Sequence, residues 1–265
     1  MSSPRLPAEL LDYVVDFLHD DEYALRDCCL LSKSWISRIR KHLFVDVGLY
    51  SKGHLDSWRE MFPDPSKSPG RYAKALFINP IWIKVADIKA GGWIRAFFHI
   101  VRLRLTTSKE CTSRSSLPLF HGLSSVIKSL CIEARILQHL PIFDLILSFP
   151  FLEDLTAVAD RTLAVGNGSS NGLPTITLSS TPPMTGTLKL FRGAGMEAFA
   201  VQLLSTPGVF RFRKLSLTLT REEDLLSVTA LVEGCSQTLK CLNISSEHHG
   251  MSIWRRARID LNSIL

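Results

Sequence analysis

The pattern in this chain that comes nearest to an active site is Gly168-Ser169-Ser170-Asn171-Gly172. It matches G-x-S-x-G, and Asp224 and His248 follow in the Ser, Asp, His order of α/β-hydrolases. A nucleophile elbow needs a strand running into a helix, with the serine on the turn between them. Here Leu173-Pro174 and the strand-like Thr175-Ile176-Thr177-Leu178 come next, so no helix supports Ser170. A loop of Gly, Ser and Asn produces such a match by composition. The same residues offer no Lys for a phosphate-binding loop and no G-x-G-x-x-G spacing. His248-His249 follows Glu247 and reads as a solvated turn rather than a metal site. The six cysteines, Cys28, Cys29, Cys111, Cys131, Cys235 and Cys241, form neither a CxxC pair nor a CxxC…HxxxH spacing, so buried thiols are expected in place of zinc or disulfides. No paired carboxylates stand out. The chain is therefore expected to carry no catalytic residue, metal or cofactor and not to be an enzyme; a serine hydrolase is the remote alternative.

Chemistry being absent, the elements decide. With 265 residues and 46% hydrophobic side chains, the chain can bury a sizeable core, which excludes disorder throughout. Thirty-one Lys and Arg against 25 Asp and Glu leave a formal charge of +6, too mild to define a partner. Lys84, Asp87, Arg95 and Arg102 interrupt the apolar stretch from Leu76 to Leu105, so no membrane span is expected. Glu9, Asp12 and Asp16 stand where a secretory signal would be uncharged, which points to a reducing intracellular compartment, cytoplasmic or nuclear.

Leucines set a ruler along the chain. Leu76, Leu103, Leu130, Leu155, Leu188, Leu215 and Leu242 are separated by 27, 27, 25, 33, 27 and 27 residues. Each has an apolar residue two positions later: Ile78, Leu105, Ile132, Ala157, Leu190, Leu217 and Ile244. Five have a large apolar residue three positions earlier: Ile100, Ile127, Leu152, Phe212 and Leu239. Helical spacing lies between these strands, clearest at 143–147, 196–204 and 222–232. The long interval contains Gly166–Gly172 and Thr181-Pro182-Pro183, which read as a surface excursion. Ala257-Arg258-Ile259-Asp260-Leu261 starts another strand.

This L-x-x-L-x-L pattern resembles a leucine-rich-repeat solenoid, in which no unit buries its inner face alone. The Asn that follows the strand in that family is missing from every unit, so irregular curvature is expected. The repeat region is expected to be incomplete or unusually capped at its C-terminal end. Positions beside each ruler leucine would pave the concave surface. They are Arg102, Arg104 and Thr106; Ser129, Cys131 and Glu133; Asp154 and Thr156; Thr187 and Lys189; Lys214 and Ser216; Cys241 and Asn243. Two basic patches, Arg102/Arg104 and Lys189/Lys214, flank an acidic step at Glu133/Asp154. Arg102, Arg104, Glu133, Asp154, Lys189, Lys214 and Asn243 are thus candidates for holding a target of mixed charge.

Residues 6–44 read as three short helices. Leu10, Val14, Phe17 and Leu18 are spaced as one apolar stripe, with Glu9, Asp12 and Asp16 on the other side, in a helix started at Pro7. Asp20-Asp21-Glu22 caps a second helix, and Ser32 a third carrying Trp35, Ile36 and Ile39. Lys33, Arg38, Arg40 and Lys41 make the third helix basic, as a DNA-reading helix would be. Residues 1–50 nevertheless hold six basic and eight acidic side chains, and the acids of the first two helices would repel phosphates. No nucleic-acid partner is expected.

Leu6-Pro7-x-Glu9-Leu10-Leu11, then Val14, Leu18, Leu25 and Cys28-Cys29-Leu30-Leu31-Ser32-Lys33-Ser34-Trp35, resemble an F-box. With the repeats, the chain resembles F-box proteins that carry divergent leucine-rich repeats, a fungal F-box-domain-like family. The resemblance implies an α/β chain with a small N-terminal three-helix F-box (1–46), a linker (47–70) and an irregular leucine-rich-repeat-like solenoid (71–265). It also implies docking to a Skp-type adaptor, and through it a cullin, by Leu6, Pro7, Leu10, Leu11, Val14, Leu18, Leu31 and Trp35. The expected role is that of a substrate receptor in an SCF-type ubiquitin ligase, with a non-ligase interaction scaffold as the alternative.

Overall fold

The computed structural model of the protein describes residues 7–83, 92–107, 123, 126–134, 142–159, 184–191, 200, 201, 203, 204, 211–219, 224–246 and 255–260. It is a mixed α/β structure. Three helices come first: α1 (Ala8–Phe17), α2 (Glu22–Leu31) and α3 (Ile36–Leu43). Asp21 Oδ1 accepts the Ala24 N–H at 2.9 Å and caps α2, and Ser32 Oγ accepts the Ser34 N–H at 3.3 Å and caps the 3-10 turn Lys33–Trp35 that leads into α3. Then a single sheet runs in chain order: β1 (Asp46–Leu49), β2 (Ala75–Ile78), β3 (Arg102–Thr107), β4 (Ser129–Ala134), β5 (Asp154–Ala159), β6 (Thr187–Phe191), β7 (Lys214–Leu219), β8 (Cys241–Ser246) and β9 (Arg255–Asp260). Strands β1 to β8 are parallel, and β9 is antiparallel to β8. Helix α4 (Lys52–Met61) follows β1, α5 (Ile142–Leu147) precedes β5, and α6 (Asp224–Cys235) joins β7 to β8.

All seven ruler leucines are mutually in register: Leu76 faces Leu103, then Leu130, Leu155, Leu188, Leu215 and Leu242. The residues two positions on align in the same way, from Ile78 to Ile244. Because side chains alternate faces along a strand, both sets lie on one side of the sheet. They join Ile100, Ile127, Leu152, Phe212 and Leu239 in a continuous core running from Val47 to Leu242. The backbone repeats as faithfully. Just before each strand, the N–H of Lys74, Val101, Lys128 and Glu153 donates to the carbonyl of Val45, Lys74, Val101 and Lys128 respectively, at 2.7 to 2.9 Å. Arg213 to Gly186 (2.9 Å) and Lys240 to Arg213 (2.7 Å) continue the series.

Residues 47–70, expected as a linker, instead begin the sheet. Val47 pairs with Leu76, and Leu49 with Ile78. Leu55 and Trp58 of α4 are buried in the main core, where Trp58 meets Phe97 with ring centroids 5.4 Å apart. Phe44, just after α3, stands edge-on to Trp58 at 6.0 Å, so helical module and sheet meet in one aromatic cluster. The expectation failed because residues 47–70 are rich in Ser, Gly and Pro, while the ruler was started one strand late.

The strand expected at 257–261 lies at Arg255–Asp260 and pairs in the opposite direction from the others. Of the expected helical stretches, 143–147 and 222–232 correspond to α5 and α6. The loop segments Gly166–Gly172 and Thr181–Pro183 lie outside the described residues. Among the described residues, no helix is long and apolar enough to cross a membrane.

Candidate interaction surfaces

Helix α1 is apolar on more than one side, and the side it buries is not the one its spacing suggested. Val15 is fully buried with Leu25 and Ile39, and Leu18, Cys28, Cys29, Trp35 and Leu43 pack around them. Leu10 (50% exposed), Tyr13 (73%), Val14 (48%) and Phe17 (86%) form a stripe facing outward. On α2, Tyr23, Leu30 and Leu31 are exposed at i, i+7 and i+8. Of the stripe Leu10, Val14, Phe17 and Leu18, only Leu18 packs into the bundle, in part.

Polar groups tie the acidic side of the helix to α3. Arg38 of α3 donates from Nε to Asp16 Oδ1 at 2.8 Å and from Nη1 to Asp12 Oδ2 at 2.7 Å, and a third bond joins Nη2 to Asp16 Oδ2. His42 Nε2 lies 2.9 Å from Asp16 Oδ1. The Arg38 hydrogen bonds, followed by that of His42, hold the Asp16 carboxyl far below the ordinary carboxylate range. Arg38 is pushed upward in turn, chiefly by Asp16.

Of the adaptor-binding candidates, Leu10, Val14 and Leu31 stand on the exposed apolar surfaces, and Pro7 is exposed at the start of α1. Leu11, Leu18 and Trp35 are half-buried, the last two against the module's own core. Leu6 lies outside the described residues.

The second surface is the sheet face opposite the leucines. Strand register places Arg102, Ser129, Asp154, Thr187, Lys214 and Cys241 in one row, and Arg104, Cys131, Thr156, Lys189, Ser216 and Asn243 in the next. All seven target-binding candidates therefore share this face, Glu133 two positions beyond the second row. Of the two expected basic patches, Arg102/Arg104 is charge-paired. Arg102 donates to Asp46 at 2.8 Å, and Arg104 is hydrogen-bonded and ion-paired to Glu133, which also accepts from Thr106 Oγ1 at 3.3 Å. Glu133 raises the Arg104 pKa further. Asp154, Lys189 and Lys214 carry no ion pair among the described residues and hold the remaining formal charge of these candidates. Asn243 accepts a long contact from Cys241 Sγ at 3.9 Å.

Missed in the sequence are the aromatic residues at the start of this face. Tyr50, just beyond β1, lies beside Phe77 (centroids 6.3 Å, 32° between planes), and the Arg104 guanidinium sits 5.7 Å from the Phe77 ring centre. Gly48 makes room: a Cβ there would stand 2.4 Å from the Tyr50 ring. The signal was available in Val47-x-Leu49, 29 residues before Leu76.

Ser170, His248, His249 and Glu247 lie outside the described residues; Asp224 begins α6. Cys235 is buried and Cys28, Cys29, Cys131 and Cys241 are half-buried, all unbridged, while Cys111 is outside the described residues. Burial pushes the Cys29, Cys131 and Cys235 thiols up, away from nucleophilic thiolate. Among the described residues, no group of three or more His, Cys, Asp or Glu could hold a metal ion. No family model, curated protein or solved structure matches the chain.

Proposed function

We propose that this chain is the substrate-recognition subunit of an SCF-type cullin–RING ubiquitin ligase. Its N-terminal helices, read as an F-box, dock a Skp-type adaptor and through it a cullin. The sheet-bearing region, read as an irregular leucine-rich-repeat-like solenoid, presents a protein target on the face that carries Arg104, Lys189 and Lys214. The chain does no chemistry itself; it raises the local concentration of target lysines near a loaded conjugating enzyme.

The supporting observation is the outward apolar stripe of α1. A module whose fully buried core is Val15, Leu25 and Ile39 leaves Leu10, Tyr13, Val14 and Phe17 to water, and such patches mark surfaces that a partner covers. The Leu-Pro-x-Glu-Leu and Ser-Lys-x-Trp signatures supply the identity of that partner. Co-expression of the full chain with a Skp-type adaptor and a cullin tests the reading. Leu10→Asp with Leu31→Asp, both on exposed positions, should cut adaptor recovery at least about tenfold, as expected for charge placed in an apolar contact, with circular dichroism unchanged. Undiminished recovery rejects it. Adaptor recovered without cullin replaces the ligase with a non-ligase scaffold.

A further inference from the structure

Helix α1 carries three stripes, roughly 120° apart at 100° per residue. Val15 and Leu18 pack in the bundle, with half-buried Leu11 between them by helical angle; Asp12 and Asp16 face α3; Leu10, Tyr13, Val14 and Phe17 face outward. Two of these stripes are apolar, and the outward one is the larger. Hydrophobic burial alone therefore does not choose the present orientation, since turning α1 by about one third of a revolution would bury four large side chains in place of three. Such a turn would carry Asp12 and Asp16 away from Arg38 and His42. We propose that the Asp12–Asp16–Arg38–His42 cluster is an orientation latch, which keeps the larger apolar stripe of α1 outside the bundle and available to a partner.

The geometry suits that role. Arg38 reaches both carboxylates from one planar fork, and the two acids stand one helical turn apart, so the cluster fixes rotation about the helix axis as well as distance. His42, one turn after Arg38 on α3, holds the same carboxylate from a second point. Polar contacts between helices are best attested as devices that specify register, and here they specify which face is offered. With Arg38 removed, α1 turns inward and the module hides its own docking surface.

The role in partner docking rests on the adaptor reading, but the orientation is measurable without any partner. In the full chain, para-trifluoromethylphenylalanine placed at position 17 by codon suppression reports whether that ring meets water. The wild-type background should give a solvent-exposed fluorine signal, and Arg38→Ala should move most of it to a buried environment while helicity is kept. Asp12→Asn with Asp16→Asn removes the same charges with little change of shape and should do likewise. If the outward state falls to about one tenth, the apparent Kd for purified Skp-type adaptor rises about tenfold. An exposed signal in both latch variants overturns the latch. Loss of helicity in both also overturns it, because the cluster would then hold the helix rather than choose its face. A buried signal in the variants, with no adaptor bound by the wild-type chain, keeps the latch and rejects the adaptor.

Discussion

At Gly186 the chain returns to the sheet after its longest interval, and the approach leaves no room for a side chain. A Cβ would stand 1.5 Å from the Glu153 carbonyl oxygen, a contact that only backbone displacement could relieve. That carbonyl accepts the Thr187 N–H at 2.7 Å, so displacement would also loosen the junction of β5 with β6. Gly186→Ala should lower unfolding free energy by about 1–3 kcal/mol, the usual range for overpacking, measured by urea titration; an unchanged midpoint would refute the close approach. Ruler positions depend on burial instead. Leu130 is fully buried, and Leu130→Ala should cost about 2–5 kcal/mol, depending on how far the core collapses. Lys128, two residues earlier, meets Glu153 at 2.7 Å with more than half of each side chain in water, so Lys128→Ala should cost no more than about 1 kcal/mol. Comparable losses at the two positions would contradict the burial of Leu130 and the exposure of Lys128.

At the scale of elements, α1 depends on charge in a way that gives its stability a pH signature. Hydrogen bonding to Arg38 depresses the Asp16 pKa in the folded chain. A depressed carboxyl stabilises the fold fully above its unfolded value of about 3.9 and loses that stabilisation as pH falls towards the folded value. The unfolding free energy from urea titration should therefore fall below about pH 4, and Asp16→Asn should remove that dependence. A profile identical in both chains would place the proton elsewhere. The same helix marks the limit of sequence reading. Its start was legible in Pro7, as the caps of the next turns were in Asp21 and Ser32, yet its inner face was not, because apolar residues occupy two stripes and Arg38, the partner of its acidic side, lies 22 residues beyond Asp16. Strands β2 to β8 were legible because a leucine and its second apolar neighbour recur at nearly constant spacing. The pairing of Arg102 with Asp46 was not, since it spans 56 residues and a strand that the ruler left out.

At the scale of the whole molecule, one sheet in chain order makes each strand depend mainly on its neighbours. Core and backbone ladder are continuous from Val47 to Leu242, so damage at one strand is passed to the next through shared leucines rather than through distant contacts. The antiparallel strand β9 changes what the sheet presents beyond β8. It takes up the β8 pairing positions from Cys241 to Ser246, which would otherwise stand as a row of open N–H and C=O groups. Residues 241 and 243 to 245 are only half-buried, so little else covers that strand among the described residues. Deleting residues 247–265 removes β9 while leaving every ruler leucine in place. The shortened chain should keep its parallel strands but associate through the uncovered edge, giving a molar mass by light scattering that rises with concentration. A shortened chain that stays at monomer mass over the same range would mean that β8 needs no cover. Lys or Pro placed within 241–246 of the shortened chain should return it to monomer, because both residue types block edge pairing without filling the core.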